Sequence, residues 1–198
     1  MVFDSPNYLA EAAQSKLWVT AGALLVLANS VTVVAIGVVL YPILARHEKG
    51  IARAYLSARV LESVLLAVGL FSLLSIVSIS EEYGKTTASS AALLEAQALL
   101  ARAASFRAYQ LAMILLGLGS LGFCYLFYQQ RLVPRFIAGF GLAGYALLAV
   151  GAVLELLGYP VGVLLSVPGG LFEITLGGCL ISRGLNLPTG EGVLFASR

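Results

Sequence analysis

Charge is scarce in this chain. Only 11% of its 198 residues are Asp, Glu, Lys or Arg, against about 25% in an ordinary soluble domain. A chain so poor in charge cannot cover a water-facing surface, which excludes a soluble fold and leaves a polytopic membrane protein. Histidine is scarcer still: His47 stands alone, in a polar stretch. That excludes bis-His haem and His-rich metal sites, and it leaves Ser-His catalysis without a buried base. No phosphate-binding glycine loop and no metal-ligand spacing is present, so the expectation is a non-enzymatic chain without a cofactor. Cys124 and Cys179 are too few for a disulfide framework and read as small apolar packing residues. The net charge of +2 is too small to point to nucleic acid. The N-terminus lacks a basic region ahead of an apolar core, so it does not read as a signal peptide.

What is present is a series of long apolar runs. Residues 17–44 hold no charge at all, and about 20 such residues cross the hydrocarbon core of a bilayer. Further runs cover 51–79, 108–128, 135–157 and 161–182, which predicts an all-α bundle of five spans. Trp18 and Tyr41 mark the ends of the first as aromatic belts. Residues 87–105 are amphipathic, with Leu93, Ala96, Leu100, Ala103 and Ala104 at helical spacing; this segment either lies along the interface or extends the next span outward. Pro42 is expected to end or kink the first span, and Pro168-Gly169-Gly170 to break the fifth. Gly158-Tyr159-Pro160 forms a turn so short that spans four and five must be antiparallel neighbours. The expected organisation is an external segment at 1–16, a bundle at 17–184 and a cytoplasmic tail at 185–198.

The few cations are unevenly placed. Arg46, Lys49 and Arg53 cluster at the first turn, Arg131 and Arg135 at the third-to-fourth loop, and Arg183 after the last span. Lys16, Lys85, Arg102 and Arg107 fall on the other side, diluted by Asp4, Glu11, Glu81, Glu82 and Glu95. The positive-inside rule makes the basic loops and the C-terminus cytoplasmic and the N-terminus external. The expected location is the cell (cytoplasmic) membrane, crossed several times.

Charge at membrane depth is costly and must face protein or water. Tyr55, Arg59, Glu62 and Leu66 share one face of the second span. Arg59 and Glu62 lie about 12–17 Å along it, and Glu173 lies about 18 Å along the fifth span from the opposite side, at about 1.5 Å per residue. A polar cluster of Arg59, Glu62 and Glu173, with Tyr55 and Asn29 as neighbours, is therefore expected near the midplane. Two readings are open: a buried ion pair that fixes helix packing, or the lining of a substrate or proton path. Arg107 and Glu155 lie near the outer ends of their spans, where they pair across the helices or snorkel to the interface. Gly144, Gly151 and Gly158 recur every seven residues, and Gly170 and Gly177 share a face with Glu173. Such smooth stripes suit close helix approach, within the chain or against an oligomeric or membrane-complex partner.

Several stretches carry a resemblance: Ser5-Pro6-Asn7-Tyr8-Leu9, Val39-Leu40-Tyr41-Pro42-Ile43-Leu44, Ala58-Arg59-Val60-Leu61-Glu62, Leu126-Phe127-Tyr128 with Arg131-Leu132-Val133-Pro134-Arg135, Leu171-Phe172-Glu173 and Ser182-Arg183-Gly184. Over most of residues 5–186 the chain resembles a bacterial family of multi-pass membrane proteins, catalogued as domain of unknown function 4386. The resemblance implies a six-span ancestor with one span ahead of the region matching Ser5 and five spans here. It brings no known activity. The expected functions are a small-solute or ion transport-type protein with a polar site inside the bundle or, alternatively, a structural or accessory subunit of a larger membrane complex.

Overall fold

The computed structural model describes residues 9, 12, 14–85 and 88–186. Most of the N-terminal segment and the tail beyond Asn186 lie outside the described residues. Five helices follow in order: α1 Lys16–His47, α2 Lys49–Tyr83, α3 Ala88–Gln129, α4 Arg135–Leu156 and α5 Gly162–Arg183. All five are long and apolar enough to cross a membrane, and no strand occurs among the described residues. Their outer faces are apolar: Trp18, Phe71, Val163 and Ile181 each expose three quarters or more of their surface, as suits side chains solvated by lipid.

Several hydroxyls inside the apolar runs are satisfied by their own helices, whereas the buried Ser120 hydroxyl has no hydrogen-bond partner among the described residues. Ser30 donates to the Val26 carbonyl at 3.0 Å and Thr32 to Ala28 at 2.9 Å. Ser72, Ser75, Thr175 and Ser182 bond back four residues in the same way. A hydroxyl that returns to its own backbone leaves no orphan donor in lipid.

Of the two alternatives for residues 87–105, the outward extension of the next span holds: α3 runs unbroken for 42 residues from Ala88. Nothing in Ala104-Ser105-Phe106-Arg107-Ala108 interrupts a helix. Pro42 does not end α1, which continues to His47. Pro168-Gly169-Gly170 does not break α5 either, and the helix passes through it. A proline removes one backbone donor, whereas an open break in an apolar medium would expose several backbone groups at several kcal/mol each.

The chain divides into two compact units, each described separately: residues 1–36 with 59–112, and residues 37–58 with 113–198. In the first unit, Leu9, Ile76 and Ala98 form a small core bordered by Leu73, Ile79, Tyr83 and Ala101. Lys16 pairs with Glu81, and the Tyr83 hydroxyl donates to Glu95 at 2.8 Å, which ties the end of α2 to the start of α3. Gly69 lets α2 approach the Ser105 carbonyl of α3, where a Cβ would sit 3.3 Å away.

The second unit holds the larger core, built from Leu44, Tyr55, Phe123, Phe127, Leu132, Val133, Ile137, Tyr145 and Phe172 among others. Phe123 is its hub, with ring centroids at 4.9 Å from Tyr55, 5.2 Å from Phe127 and 5.9 Å from Tyr145. The α3 glycines make this density possible. A Cβ on Gly117 would meet Ala149 at 2.8 Å, one on Gly119 would meet Ala58 at 2.4 Å, and one on Gly122 would meet Ile51 at 2.9 Å. Gly117 faces α4, while Gly119 and Gly122 both face α2, so α3 is closely packed against two helices.

Two turns shape this unit. Gly158 adopts φ +94, and the Tyr159 amide donates back to Leu154 at 3.0 Å, a helix end that requires the left-handed region. The α3–α4 loop ends the same way, with Leu132 donating to Phe127 at 3.2 Å, but here the left-handed residue is Arg131 at φ 54.

Candidate functional site

Arg59 and Glu62 belong to the first unit, one turn apart on α2. Arg59 Nη1 donates to Glu62 Oε2 at 2.8 Å, and the residues are 7% and 2% exposed. Both hold other interactions as well. A pair this deep cannot rest on solvent, so its attraction must offset the desolvation of two ions. Asn29, also in the first unit, lies on an exposed face of α1, beside the buried Ser30.

Tyr55 and Glu173 belong to the second unit. Tyr55 is buried with its ring edge-on to Phe123, so its bulk serves the aromatic core. Glu173 takes a hydrogen bond of 3.0 Å from the Tyr145 hydroxyl of α4. Tyr145 is the partner that the sequence reading missed, although a signal existed. Tyr145 and Glu173 stand equally far from Tyr159, one on each side of the turn, and in an antiparallel hairpin that places them opposite each other.

The surroundings of Glu173 are unusual. Its neighbour Phe172 is fully buried, but Glu173 itself is exposed, between Leu171 at 52% and Ile174 at 75%. It stands about 15–17 Å from either end of α5 at 1.5 Å per residue, which is membrane depth. One phenolic hydrogen bond occupies a fraction of a carboxylate's roughly four acceptor positions. Gly170 and Gly177 flank it, and a Cβ on either would meet nothing within 4 Å.

The other glycine stripe is taken up inside the chain. A Cβ on Gly144 would lie 3.0 Å from the Gly169 backbone, and one on Gly151 would lie 2.8 Å from Leu165. Pro168-Gly169 therefore serves the close approach of α5 to α4. Glu155 has a partner of its own: the Gly162 amide at the start of α5 donates to its Oε1 at 2.8 Å. It thus acts as a remote N-terminal cap across the hairpin. Arg107 is exposed on the first unit. Arg46, Lys49, Arg131 and Arg135 are exposed on the second. Among the described residues no group of three or more His, Cys, Asp or Glu is placed to hold a metal.

Five apolar helices, hydroxyls satisfied by their own backbone and a lipid-type outer surface define the class: a multi-pass integral membrane protein of the all-helical kind. Residues 1–184 match the family described as Domain of unknown function (DUF4386), and the chain belongs to that family. Neither the curated proteins nor the solved structures contain a match to it.

Proposed function

We propose that this protein is a non-enzymatic structural or accessory subunit that packs the open face of α5 against a spanning helix of a different membrane protein. The observation that supports this is Glu173. A carboxyl exposed at membrane depth costs about 2.5–3.5 kcal/mol by insertion scales, and the single bond from Tyr145 offsets part of that. The remaining acceptor positions call for a donor or a cation from outside the chain. The open glycines on both sides let a partner backbone come close enough to supply it. A twofold pair of identical chains fits poorly, because Glu173 lies between the glycines and two copies would bring two carboxyls together.

The transport-type reading draws on fewer features. The buried Arg59–Glu62 pair has the character of a packing device, and the helix through Pro168 is continuous, so no broken backbone marks a path. The location that accompanies the proposal is the bacterial cytoplasmic membrane with the N-terminus outside. Lys85→Cys is then labelled by an impermeant thiol reagent from outside; labelling only after permeabilisation would reverse the orientation.

The test of the subunit reading places a photo-reactive residue at Ile174 in cells that carry the native protein. The expected product is a cross-link to a different membrane protein, whose adducted peptide lies in a spanning helix with a Lys, Arg, Asn or Gln at matching depth. Its yield falls at least fivefold in the Glu173→Leu variant, and the same probe at the exposed Val150 of α4 gives none. A product independent of Glu173, or only lipid adducts, would sink the proposal.

A further inference from the structure

The cations of the second unit gather at one of its ends. Arg46 lies in the last turn of α1, Lys49 and Arg53 in the first turns of α2, Arg131 in the α3–α4 loop, Arg135 at the start of α4 and Arg183 at the end of α5. The packing shows that these helix ends meet. Leu44, Ala52, Leu132, Val133 and Ile137 share one core, bordered by Ile51 and Leu185. The Asn186 amide donates to the Leu132 carbonyl at 2.9 Å, and the Asn186 side chain donates to the Arg131 carbonyl at 3.3 Å. From residue 136 to residue 182 there is no Lys or Arg, so the α4–α5 turn at the other end of the hairpin carries none of this charge.

The acid nearest in sequence, Glu48, turns its carboxylate back to accept the Gly50 amide at 3.0 Å. No side chain caps the first turn of α4, so its leading N–H groups add to the positive potential.

The loop is also built to hold its cations in place. Arg131 occupies the left-handed position where glycine is the usual choice, at φ 54. Leu132 and Val133 beside it are buried, and Asn186 fixes the backbone from the far side. Arg135 lies over the Tyr128 ring at 5.3 Å from its centroid. An arginine retained in a strained position, on a rigid loop, at the polar edge of an apolar bundle matches a phosphate at the same depth.

We propose that this end of the second unit binds the phosphate of anionic phospholipid headgroups, with Arg131 and Arg135 as the principal contacts and Lys49, Arg53 and Arg183 supplying the surrounding field. The proposal is independent of the partner helix on α5. The occupant is a lipid because a headgroup brings its acyl chains against the apolar surface below, which includes the exposed Phe136 and Ile181.

The test uses the full chain in nanodiscs of phosphatidylcholine, titrated with phosphatidylglycerol, with retained lipid read by native mass spectrometry. The wild type is expected to retain phosphatidylglycerol selectively. The Arg131→Gln, Arg135→Gln double variant binds it at least tenfold more weakly, while Arg102→Gln, Arg107→Gln in the first unit stays within twofold of wild type. Arg131→Gly keeps the left-handed turn, so a folded protein with weakened retention isolates the role of the charge. Equal retention by wild type and the Arg131, Arg135 variant would overturn the proposal. Inorganic phosphate that displaced the lipid at equal concentration would overturn it too, by making the free anion the ligand.

Discussion

The buried pair on α2 makes the sharpest test of what its charges are for. Replacing Glu62 with Leu leaves the Arg59 guanidinium at 7% exposure with its 2.8 Å partner gone. A guanidinium cannot shed its proton, so the expected loss is about 3–5 kcal/mol, the range for breaking a buried pair. Replacing Arg59 with Leu removes the counter-charge of Glu62 and is expected to cost a similar amount. Replacing both removes two desolvation penalties together with one attraction, and the double variant is expected within about 1 kcal/mol of wild type. Unfolding in sodium dodecyl sulfate, followed by thiol labelling of the buried Cys124, measures all four proteins on one scale. The double variant must recover most of what Glu62→Leu loses. If it is as unstable as the worse single variant, the charges do not act as a pair and the packing interpretation fails.

Four other outcomes follow from the geometry. Glu155→Ala removes the acceptor for the Gly162 amide and should cost about 1 kcal/mol, the usual size of an N-terminal cap, with Glu155→Gln retaining most of it in the same unfolding assay. Gly119→Ala forces a methyl to 2.4 Å from the Ala58 Cβ and should cost about 1–3 kcal/mol, whereas Gly170→Ala, with nothing within 4 Å, should be neutral in the isolated chain. Arg131→Gly relieves a left-handed non-glycine residue and should stabilise by about 1 kcal/mol; a loss would mean that the arginine makes a structural contact of its own. Glu173→Leu should stabilise the purified chain by about 1 kcal/mol, since the removed burden of roughly 2.5 kcal/mol at membrane depth exceeds a phenolic hydrogen bond of about 1 kcal/mol.

The spans were legible because a bilayer imposes length and apolarity, and both can be read residue by residue. The helices extend a few residues beyond the apolar runs, since Lys16, Arg46 and Lys49 continue a helix as well as leucine does once water is reached. The expected breaks were misplaced for one physical reason. In water a helix interrupted at proline or glycine is rescued by solvent. At membrane depth the backbone has no substitute partner, so α1 runs through Pro42 and α5 through Pro168. The hairpin partners Tyr145 with Glu173 and Glu155 with Gly162 could have been found from the short turn at Gly158-Tyr159-Pro160, which fixes the register of the antiparallel arms. Phe123 as an aromatic hub could not, because nothing in a uniformly apolar span tells which phenylalanine faces inward.

The polar groups at depth sort by how each is satisfied, and the sorting isolates one of them. Ser30, Thr32, Ser72, Ser75, Thr175 and Ser182 return their hydroxyls to the preceding turn. Arg59 and Glu62 meet on one helix. Glu155 is held by the amide that begins the next helix. Each of these is settled by the chain itself and stabilises the helix or hairpin that carries it. Glu173 differs because its carboxyl stands on the exposed side of a helix whose opposite side already fills the core with Phe172. Leucine at that position would serve the bundle better. A residue that the bundle does not need, placed between two glycines that no neighbour covers, answers to something outside the bundle, and that is why the reading rests on α5 rather than on the more conspicuous charges of α2.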